Sequence, residues 1–248
     1  MQWLTLNAKN RLAFALTHPA YALKVLTREA TRADERFLAQ ITGVTVSAIQ
    51  AYLKEPFQET KFLNHLQSCE ITLRQVWSMG ADLYAKSVLA QYALLRALKP
   101  ALVVETGVAN GVSSSYLLLA MAKNQKGHLH SIDIGDLGDA GFLPAGKSPG
   151  WVVPENLRSR WTLHIGDSKK LLKPVLMDLQ KVDIFIHDSL HTYDHMLFEF
   201  QEAYPFVRQR GILIMDDVLW NNAFQDFAQS IQAQEYEIIR GIGLLKKG

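Results

Sequence analysis

The sequence has a single cysteine and no long apolar or basic run, and each of these absences excludes a class of protein. Cys69 alone rules out a framework of intramolecular disulfides and fits a reducing cytoplasm. No run of about 18 apolar residues is present to span a membrane, and the amino terminus lacks the apolar core of a signal peptide. The net charge of +2 is not concentrated in a basic tract. We therefore expect a cytoplasmic protein that binds neither a membrane nor nucleic acid.

Strand patterns are absent from the first part of the chain, where apolar residues recur at helical spacing. We predict an N-terminal helical extension over residues 1–82, which forms either a cap or a dimer contact; the second alternative gives a homo-oligomer. Ala39, Gly43 and Ile49 have the spacing of a helix-turn-helix, so a DNA-binding regulator is one alternative. Its recognition helix, residues 47–54, is poor in the Arg and Lys that phosphate contacts require.

After residue 100, short apolar runs alternate with helical segments, which is typical of parallel sheets with helical crossovers. The final segments, Tyr236–Arg240 and Leu244–Lys246, flank a glycine turn and predict a hairpin that closes the sheet. The fold class is therefore α/β: a Rossmann-like, doubly wound, seven-stranded and mostly parallel sheet over residues 83–248. The predicted strands before the hairpin are Ala101–Val104, His128–Ile132, Thr162–Ile165, Val182–Ile186 and Ile212–Met215.

The first strand leads directly into a glycine turn and a helix. Gly107 and Gly111 remove side chains where the backbone approaches a ligand, and Ser113, Ser114 and Ser115 supply N-cap oxygens for the helix. The G-x-x-x-G spacing departs from the G-x-G-x-x-G of dinucleotide-binding turns. With Glu105 ahead of the glycines, the segment instead resembles the first motif of the class I S-adenosylmethionine-dependent methyltransferases.

Acidic residues follow every predicted strand of the parallel sheet. In an open α/β sheet these positions converge on one crevice, where ligands bind. We expect Asp133 to accept hydrogen bonds from ribose hydroxyls, and Asp167 and Ser168 to contact the adenine edge. Glu105 and the amides around Gly107, Gly111 and Ser113 face the amino-acid part of the donor. Helix capping or loop solvation is the alternative for Asp133 and Asp167.

A second acidic group follows the fourth and fifth strands. Asp188, Asp216 and Asp217 offer hard oxygen ligands, which suit magnesium or another divalent cation. An NAD-dependent oxidoreductase on the same sheet is a further alternative that accounts for Asp133 but not for the paired acids.

A long connection with few periodic residues, Gly135–Pro154, predicts a lid or binding loop with Trp151 as its aromatic anchor.

Two blocks make the resemblance specific. Phe185–Tyr193 and Gly211–Val218 resemble the corresponding blocks of small-molecule O-methyltransferases, such as the macrocin and catechol types. The resemblance covers about residue 83 to the carboxyl terminus. It implies S-adenosylmethionine as donor, a hydroxyl of a natural product, sugar or phenol as acceptor, and Mg²⁺ held by Asp188, Asp216 and Asp217.

The sequence departs from the family pattern at Leu190, where related sequences carry a second acid that is a candidate base. His191 is the best replacement, because imidazole titrates near neutral pH and takes a proton from a hydroxyl. The alternative is that His191 caps the next helix or orients Asp188. A metal-independent enzyme, with Asp216 and Asp217 as bases or caps, also stays open.

Overall fold

The computed structural model of the chain describes residues 31–70, 81–135 and 143–248. The chain divides into two compact units, Met1–Ala97 and Leu98–Gly248. The division therefore falls at the end of the helix that precedes the first strand, whereas the sequence places the boundary near the beginning of that helix, at residues 82 and 83. In the described ranges, no helix combines the length and the apolar composition needed to cross a bilayer.

The described part of the first unit is helical, as predicted. Gly43 ends the first helix in the left-handed region, and Thr45 caps the second helix through its hydroxyl, which accepts from the amide of Ala48. The predicted helix-turn-helix spacing corresponds to two successive helices, in which Ala39 and Ile49 are buried. Lys54 is the one basic residue of the second helix. The helices are α1 (Ala33–Thr42), α2 (Val46–Lys54), α3 (Thr60–Ser68) and α4 (Ala81–Leu98), with a 3-10 turn at Glu55–Gln58. Helical segments expected within residues 1–30 and 71–80 lie outside the described residues.

The second unit is built on a seven-stranded sheet with the strand order β3-β2-β1-β4-β5-β7-β6. The pairings among β1 to β5 are parallel, and β7 pairs antiparallel with both β5 and β6. The predicted mostly parallel sheet and its closing hairpin are thus confirmed. The strands are β1 (Leu102–Thr106), β2 (His128–Asp133), β3 (Trp161–Ile165), β4 (Val182–His187), β5 (Val207–Met215), β6 (Glu235–Ile239) and β7 (Ile242–Lys246).

The crossover helices pack on a sheet whose central strands β1 and β4 are almost entirely buried. Every residue of β4 is buried, because β4 lies inside the sheet and both of its faces are covered. The helices of this unit are α5 (Val112–Asn124), α6 (Ser168–Leu179), α7 (Tyr193–Ala203) and α8 (Ala223–Ser230), with a 3-10 turn at Glu155–Arg160.

The fifth strand is longer than its apolar run. It begins at Val207, whereas the sequence pattern predicts a beginning at Ile212 and extends the preceding helix to residue 207. The exposed polar residues Arg208–Arg210 open the strand, and its register with β4 is irregular between Val182 and Ile184. A polar stretch of this kind hides a strand from a pattern based on hydrophobicity.

Candidate active site

The carboxyl ends of the parallel strands lie at one edge of the sheet. Thr106, the last residue of β1, pairs with His187, the last residue of β4, and His187 pairs with Met215 at the end of β5. On the other side of β1, Thr106 pairs with Ile132 of β2. The residues that follow these strands therefore start from neighbouring positions, as expected for the ligand-binding edge of an open α/β sheet.

The glycine turn after β1 leaves no space for side chains at either glycine. Gly107 has φ 84° and Gly111 has φ 89°, which is the left-handed region that favours glycine. A Cβ on Gly111 would lie 2.6 Å from the Cα of Gly150. Protein backbone thus packs closely against the turn, which fixes the position of its amides.

The three serines after the turn do not cap the helix, so that part of the prediction is wrong. Helix α5 begins at Val112 with Gly111 in the cap position, so Ser113, Ser114 and Ser115 already lie in its first turn and are buried. The Ser115 hydroxyl donates to the Gly111 carbonyl at 2.6 Å, and the Ser114 hydroxyl donates to Glu105. The contact of Ser113 with the donor stays a prediction.

Glu105 is 1% exposed, and its carboxyl group accepts hydrogen bonds from α5 and from β2. Its Oε1 accepts hydrogen bonds from Ser114 and, at 2.8 Å, from Ser131 on β2. Burial raises the pKa of Glu105 to about 7, although the two hydroxyl donors act in the opposite direction. The carboxyl group therefore braces β1 against α5 and β2, and its contact with the amino-acid part of the donor stays a prediction.

Asp133 holds the glycine turn. Its Oδ2 accepts from the amides of Val108 at 2.8 Å and Ala109 at 3.0 Å, and its Oδ1 accepts from the amide of Gly135 at 2.8 Å. The carboxylate at the end of β2 is therefore next to the backbone of the turn. The predicted contact with ribose hydroxyls fits this location and stays a prediction.

The acid and the serine after β3 have partners within the protein. Asp167 is the N-cap of α6 and accepts from the amide of Lys169 at 2.9 Å, so its alternative role as a helix cap is the one observed. The Ser168 hydroxyl lies 3.2 Å from Nε2 of His195. Contacts of Asp167 and Ser168 with adenine stay predictions.

The described end of the predicted lid is fixed to the glycine turn. The amide of Gly150 donates to the Ala109 carbonyl at 2.8 Å, and the indole nitrogen of Trp151 donates to Oδ1 of Asn110 at 2.7 Å. Val152 and the following valine are buried. Trp151 is thus the predicted anchor, and residues 150–153 form a wall beside the turn; residues 136–142 of the loop lie outside the described residues.

Three carboxyl groups crowd together after β4 and β5. The pKa values of Asp188 and Asp216 are raised, first by burial and then by neighbouring negative charge, including that of Asp217. The pKa of Asp217 is also raised by burial, and its backbone is in the left-handed region at φ 50°. Mutual repulsion of this kind is what a bound cation would offset.

These donors fit a hard divalent cation by their chemistry, since carboxylate oxygens are the ligands that Mg²⁺ prefers. Nevertheless, within residues 31–70, 81–135 and 143–248 no group of three or more His, Cys, Asp or Glu side chains is arranged to hold a metal ion. Binding of the ion by Asp188, Asp216 and Asp217 would therefore require their side chains to reorient.

His191 lies beside the acidic group, with its Nε2 3.7 Å from Oδ1 of Asp188. Burial lowers the pKa of His191 to about 4, so the expectation that it titrates near neutral pH is wrong. The imidazole is uncharged at neutral pH and can accept a proton. Asn221 joins the two loops of the site, since its side chain donates to the His191 carbonyl at 3.2 Å and accepts from the amide of Ala223.

Sequence reasoning missed the buried residues behind this group. Glu199 on α7 is fully buried and accepts from His187 at 2.6 Å and from His195 at 2.9 Å. The available signal was the position of His195 and Glu199, four residues apart on the same helical face as the apolar Met196 and Phe200. A carboxylate on an apolar face indicates a buried polar network.

Comparison with known proteins identifies the fold. Residues 104–218 match the family described as "Methyltransferase domain". The calicheamicin methyltransferase CalS11 is 16% identical, with a TM-score of 0.54 over 77% of this chain and 93% of that chain. The O-methyltransferase NovP is 18% identical, with a TM-score of 0.50 over 66% of this chain and 80% of that chain.

The mycinamycin methyltransferase MycE, solved with Mg, SAH and mycinamycin VI, is 18% identical with a TM-score of 0.45. The match covers 62% of this chain and 46% of MycE, so the chain spans less than half of that protein. A search of curated proteins found no match. Residues 104–218 thus match a methyltransferase domain, and the strand order and the glycine turn agree with the class I, S-adenosylmethionine-dependent type that the first motif resembles.

Proposed function

We propose that the chain is an O-methyltransferase that transfers the methyl group of S-adenosylmethionine to a hydroxyl oxygen of a small molecule, with the help of a divalent cation. The observation that carries this proposal is the acidic group formed by Asp188, Asp216 and Asp217 beside an uncharged His191 at the edge of the sheet. The glycine turn that belongs to the donor site lies directly next to Asp188.

In the proposed reaction the sulfonium S–CH₃ bond breaks, an O–CH₃ bond forms in line with it, and the hydroxyl proton leaves the acceptor. Asp133 and the amides of the glycine turn bind and orient the donor. His191 receives the proton on its uncharged imidazole, whose Nε2 lies 3.7 Å from Oδ1 of Asp188. Asp188, Asp216 and Asp217 are the residues that would hold Mg²⁺, which would supply a Lewis acid for the acceptor hydroxyl.

An apolar rim beside this group supports an acceptor with an apolar ring or chain next to its hydroxyl. Leu190, Leu219 and Trp220 are exposed, and Trp220 is 60% exposed with its ring 5.7 Å from that of His191. Exposed apolar side chains clustered at one edge of a sheet are typical of a ligand-binding surface. Phenols and polyketide natural products fit this rim better than an unmodified sugar does.

The test is methyl transfer from S-adenosylmethionine labelled in its methyl group to a panel of phenols, polyketides and sugars, with mass spectrometry locating the methyl group. We expect oxygen methylation with Mg²⁺ and little turnover after chelation with EDTA. Turnover that survives EDTA would support the metal-independent alternative. Tight binding of NAD with no binding of S-adenosylhomocysteine would contradict the proposal.

The proposed enzyme acts in the cytoplasm on a freely diffusing acceptor. The single half-buried thiol of Cys69 is compatible with a reducing compartment. Size-exclusion chromatography with light scattering tests whether the N-terminal helical extension forms a homo-oligomer, as we expect. Binding of DNA that falls with increasing salt would instead support the regulator alternative.

A further inference from the structure

The carboxylate of Glu199 accepts four hydrogen bonds and has no exposure to solvent. Its Oε2 accepts from the Thr106 hydroxyl and from Nδ1 of His187 at 2.6 Å. Its Oε1 accepts from the Ser189 hydroxyl and from Nε2 of His195, each at 2.9 Å. We call these five residues the Glu199 cluster.

Burial of the Glu199 carboxylate carries an unfavourable desolvation free energy. Removing such a charge from water is unfavourable, and its hydrogen bonds must offset this desolvation. Burial by itself raises the pKa of Glu199, but hydrogen bonds from His187 and His195 outweigh it, so that the pKa lies below its ordinary value. Apolar residues would stabilise the helix without this cost, so the location of the charge requires another explanation.

The four donors come from the segments that form the candidate active site. Thr106 directly precedes the glycine turn, and His187 and Ser189 flank Asp188 on both sides. His195 lies one turn beyond His191 and is also 3.2 Å from Ser168 after β3. One anion therefore connects the ends of β1 and β4 with the beginning of α7.

The segment at the end of β1 and the segment after β4 are also in direct backbone contact. The amide of Asp188 donates to the Thr106 carbonyl at 2.8 Å. A Cβ on Gly107 would lie 1.8 Å from the Asp188 carbonyl oxygen, so the turn and the acidic loop have no freedom to shift toward each other. A displacement of either segment is transmitted to the other.

We propose that Glu199 is a positioning residue, which holds the backbone of Asp188 against the glycine turn and thereby aligns the acceptor with the donor. This inference rests on the proposed function for the acceptor side, whereas its effect on the donor site depends only on the methyltransferase domain. A misplacement of the reacting atoms by about 1 Å slows such a reaction strongly, so a residue that touches neither substrate can control its rate.

Two variants test separately the acceptor-side arm of the Glu199 cluster, which is Ser189 next to Asp188, and the donor-side arm, which is Thr106 next to the glycine turn. Ser189→Ala removes one donor next to Asp188, and we expect kcat to fall by about fivefold to tenfold while the Kd for S-adenosylhomocysteine changes by less than about twofold. Thr106→Val removes the donor next to the turn but keeps the shape, and we expect this Kd to rise about fivefold. Thr106→Ser, which keeps the hydroxyl, retains more affinity than Thr106→Val.

Glu199→Gln tests both arms at once and keeps the size of the side chain. We expect kcat per binding site to fall about tenfold or more and the Kd for S-adenosylhomocysteine to rise by several-fold. The matched control is Glu202→Gln on the same helix, whose carboxylate is partly exposed and pairs with Lys173 at 3.4 Å. We expect that variant to match the unmodified protein.

Two outcomes distinguish this inference from the proposed function. If the variants lower only the melting temperature, while kcat per binding site and the Kd stay at their original values, the Glu199 cluster is structural and the inference is overturned. If the unmodified protein methylates none of the acceptors, the proposed function fails, yet the Kd comparison of Thr106→Val, Thr106→Ser and Glu202→Gln still decides the donor-side arm. Because Ser189→Ala and Thr106→Val are small changes, the test remains decisive even if Glu199→Gln does not fold.

Discussion

The carbonyl oxygen of Asp188 occupies the space that a side chain on Gly107 would need, since a Cβ there would lie 1.8 Å from this oxygen. This contact joins the glycine turn after β1 to the acidic loop after β4. The donor side and the acceptor side of the proposed site are thus in contact through backbone atoms, and each of the following predictions changes one part of this arrangement.

Gly107→Ala should disable donor binding. The substitution adds a backbone penalty of about 1 kcal/mol at φ 84° and also displaces the Asp188 carbonyl. We expect the Kd for S-adenosylhomocysteine, measured by calorimetry, to rise about tenfold or more. Gly43→Ala is the matched control: its φ is 77°, and no atom of the described residues lies within 4 Å of the added Cβ. Equal affinities of the two variants would contradict the steric argument.

Glu105→Gln should change how stability depends on pH. The pKa of Glu105 is raised from 4.5 to about 7 in the folded state, so its contribution to stability is full below the unfolded pKa and is lost as the pH rises through 7. From about pH 5 to about pH 8, we expect the unmodified protein to lose on the order of 3 kcal/mol of unfolding free energy relative to Glu105→Gln.

Urea denaturation at several pH values measures this difference. Other acids of the site also titrate, and the charge of Glu105 raises the pKa of Asp188, so the difference between the two proteins reports Glu105 together with this coupling. Parallel curves of unfolding free energy against pH would show that the folded state does not raise the pKa of Glu105.

Asp133→Asn should weaken donor binding while leaving the acidic group intact. The new amide nitrogen faces one of the backbone amides that the carboxylate now accepts from, and the change removes the charge that we expect to accept from the ribose hydroxyls. Loss of a charged hydrogen bond of this kind corresponds to about a tenfold rise in the Kd for S-adenosylhomocysteine. The exposed Asp194→Asn serves as control. An unchanged Kd would reject the ribose contact.

Asp217→Asn should lower the turnover that depends on the cation without changing the affinity for the donor. Asparagine tolerates the left-handed backbone at φ 50°, so the change removes the carboxylate that we propose as a ligand and little else. We expect turnover in the presence of Mg²⁺ to fall about a hundredfold and the Kd for S-adenosylhomocysteine to change by less than about twofold. Asp178→Asn, exposed on α6, is the control. Simultaneous loss of donor binding would argue against a separate cation site.

Trp220→Ala should affect the acceptor alone. The indole is exposed beside His191 and supplies apolar contact area rather than chemistry. We expect KM for an apolar phenolic acceptor to rise about fivefold, with a smaller change in kcat. Met177→Ala removes a similarly exposed apolar side chain from α6 and should leave KM unchanged. If both variants behave alike, the rim has no role in acceptor binding.

The sheet could be predicted from the sequence because its strands are short apolar runs separated by periodic helices. The edge at which acids collect followed from the rule that parallel strands end together. The polar beginning of β5 at Arg208–Arg210 escaped this reasoning, since its residues are exposed and carry no apolar signal. The serines of α5 were misplaced because Gly111, in its left-handed conformation, takes the cap position itself.

The partners of buried polar groups could not be predicted, because they depend on register between segments far apart in the chain. Thr106 and Glu199 are 93 positions apart and meet only when β1, β4 and α7 are assembled. The pKa of His191 illustrates the same point, since burial among neighbouring imidazoles changes it from the value that the isolated side chain would have.

The link between Trp151 and Asn110 gives the molecule an intrinsic optical reporter. The indole nitrogen donates to a side chain of the turn at 2.7 Å, and the Lys147 ammonium lies 4.7 Å from the centre of its ring. Occupation of the turn by a ligand alters the electric field at this indole, and indole fluorescence responds to such fields. Emission from Trp151, isolated by replacing the other tryptophans with phenylalanine, would follow donor binding in real time without any label.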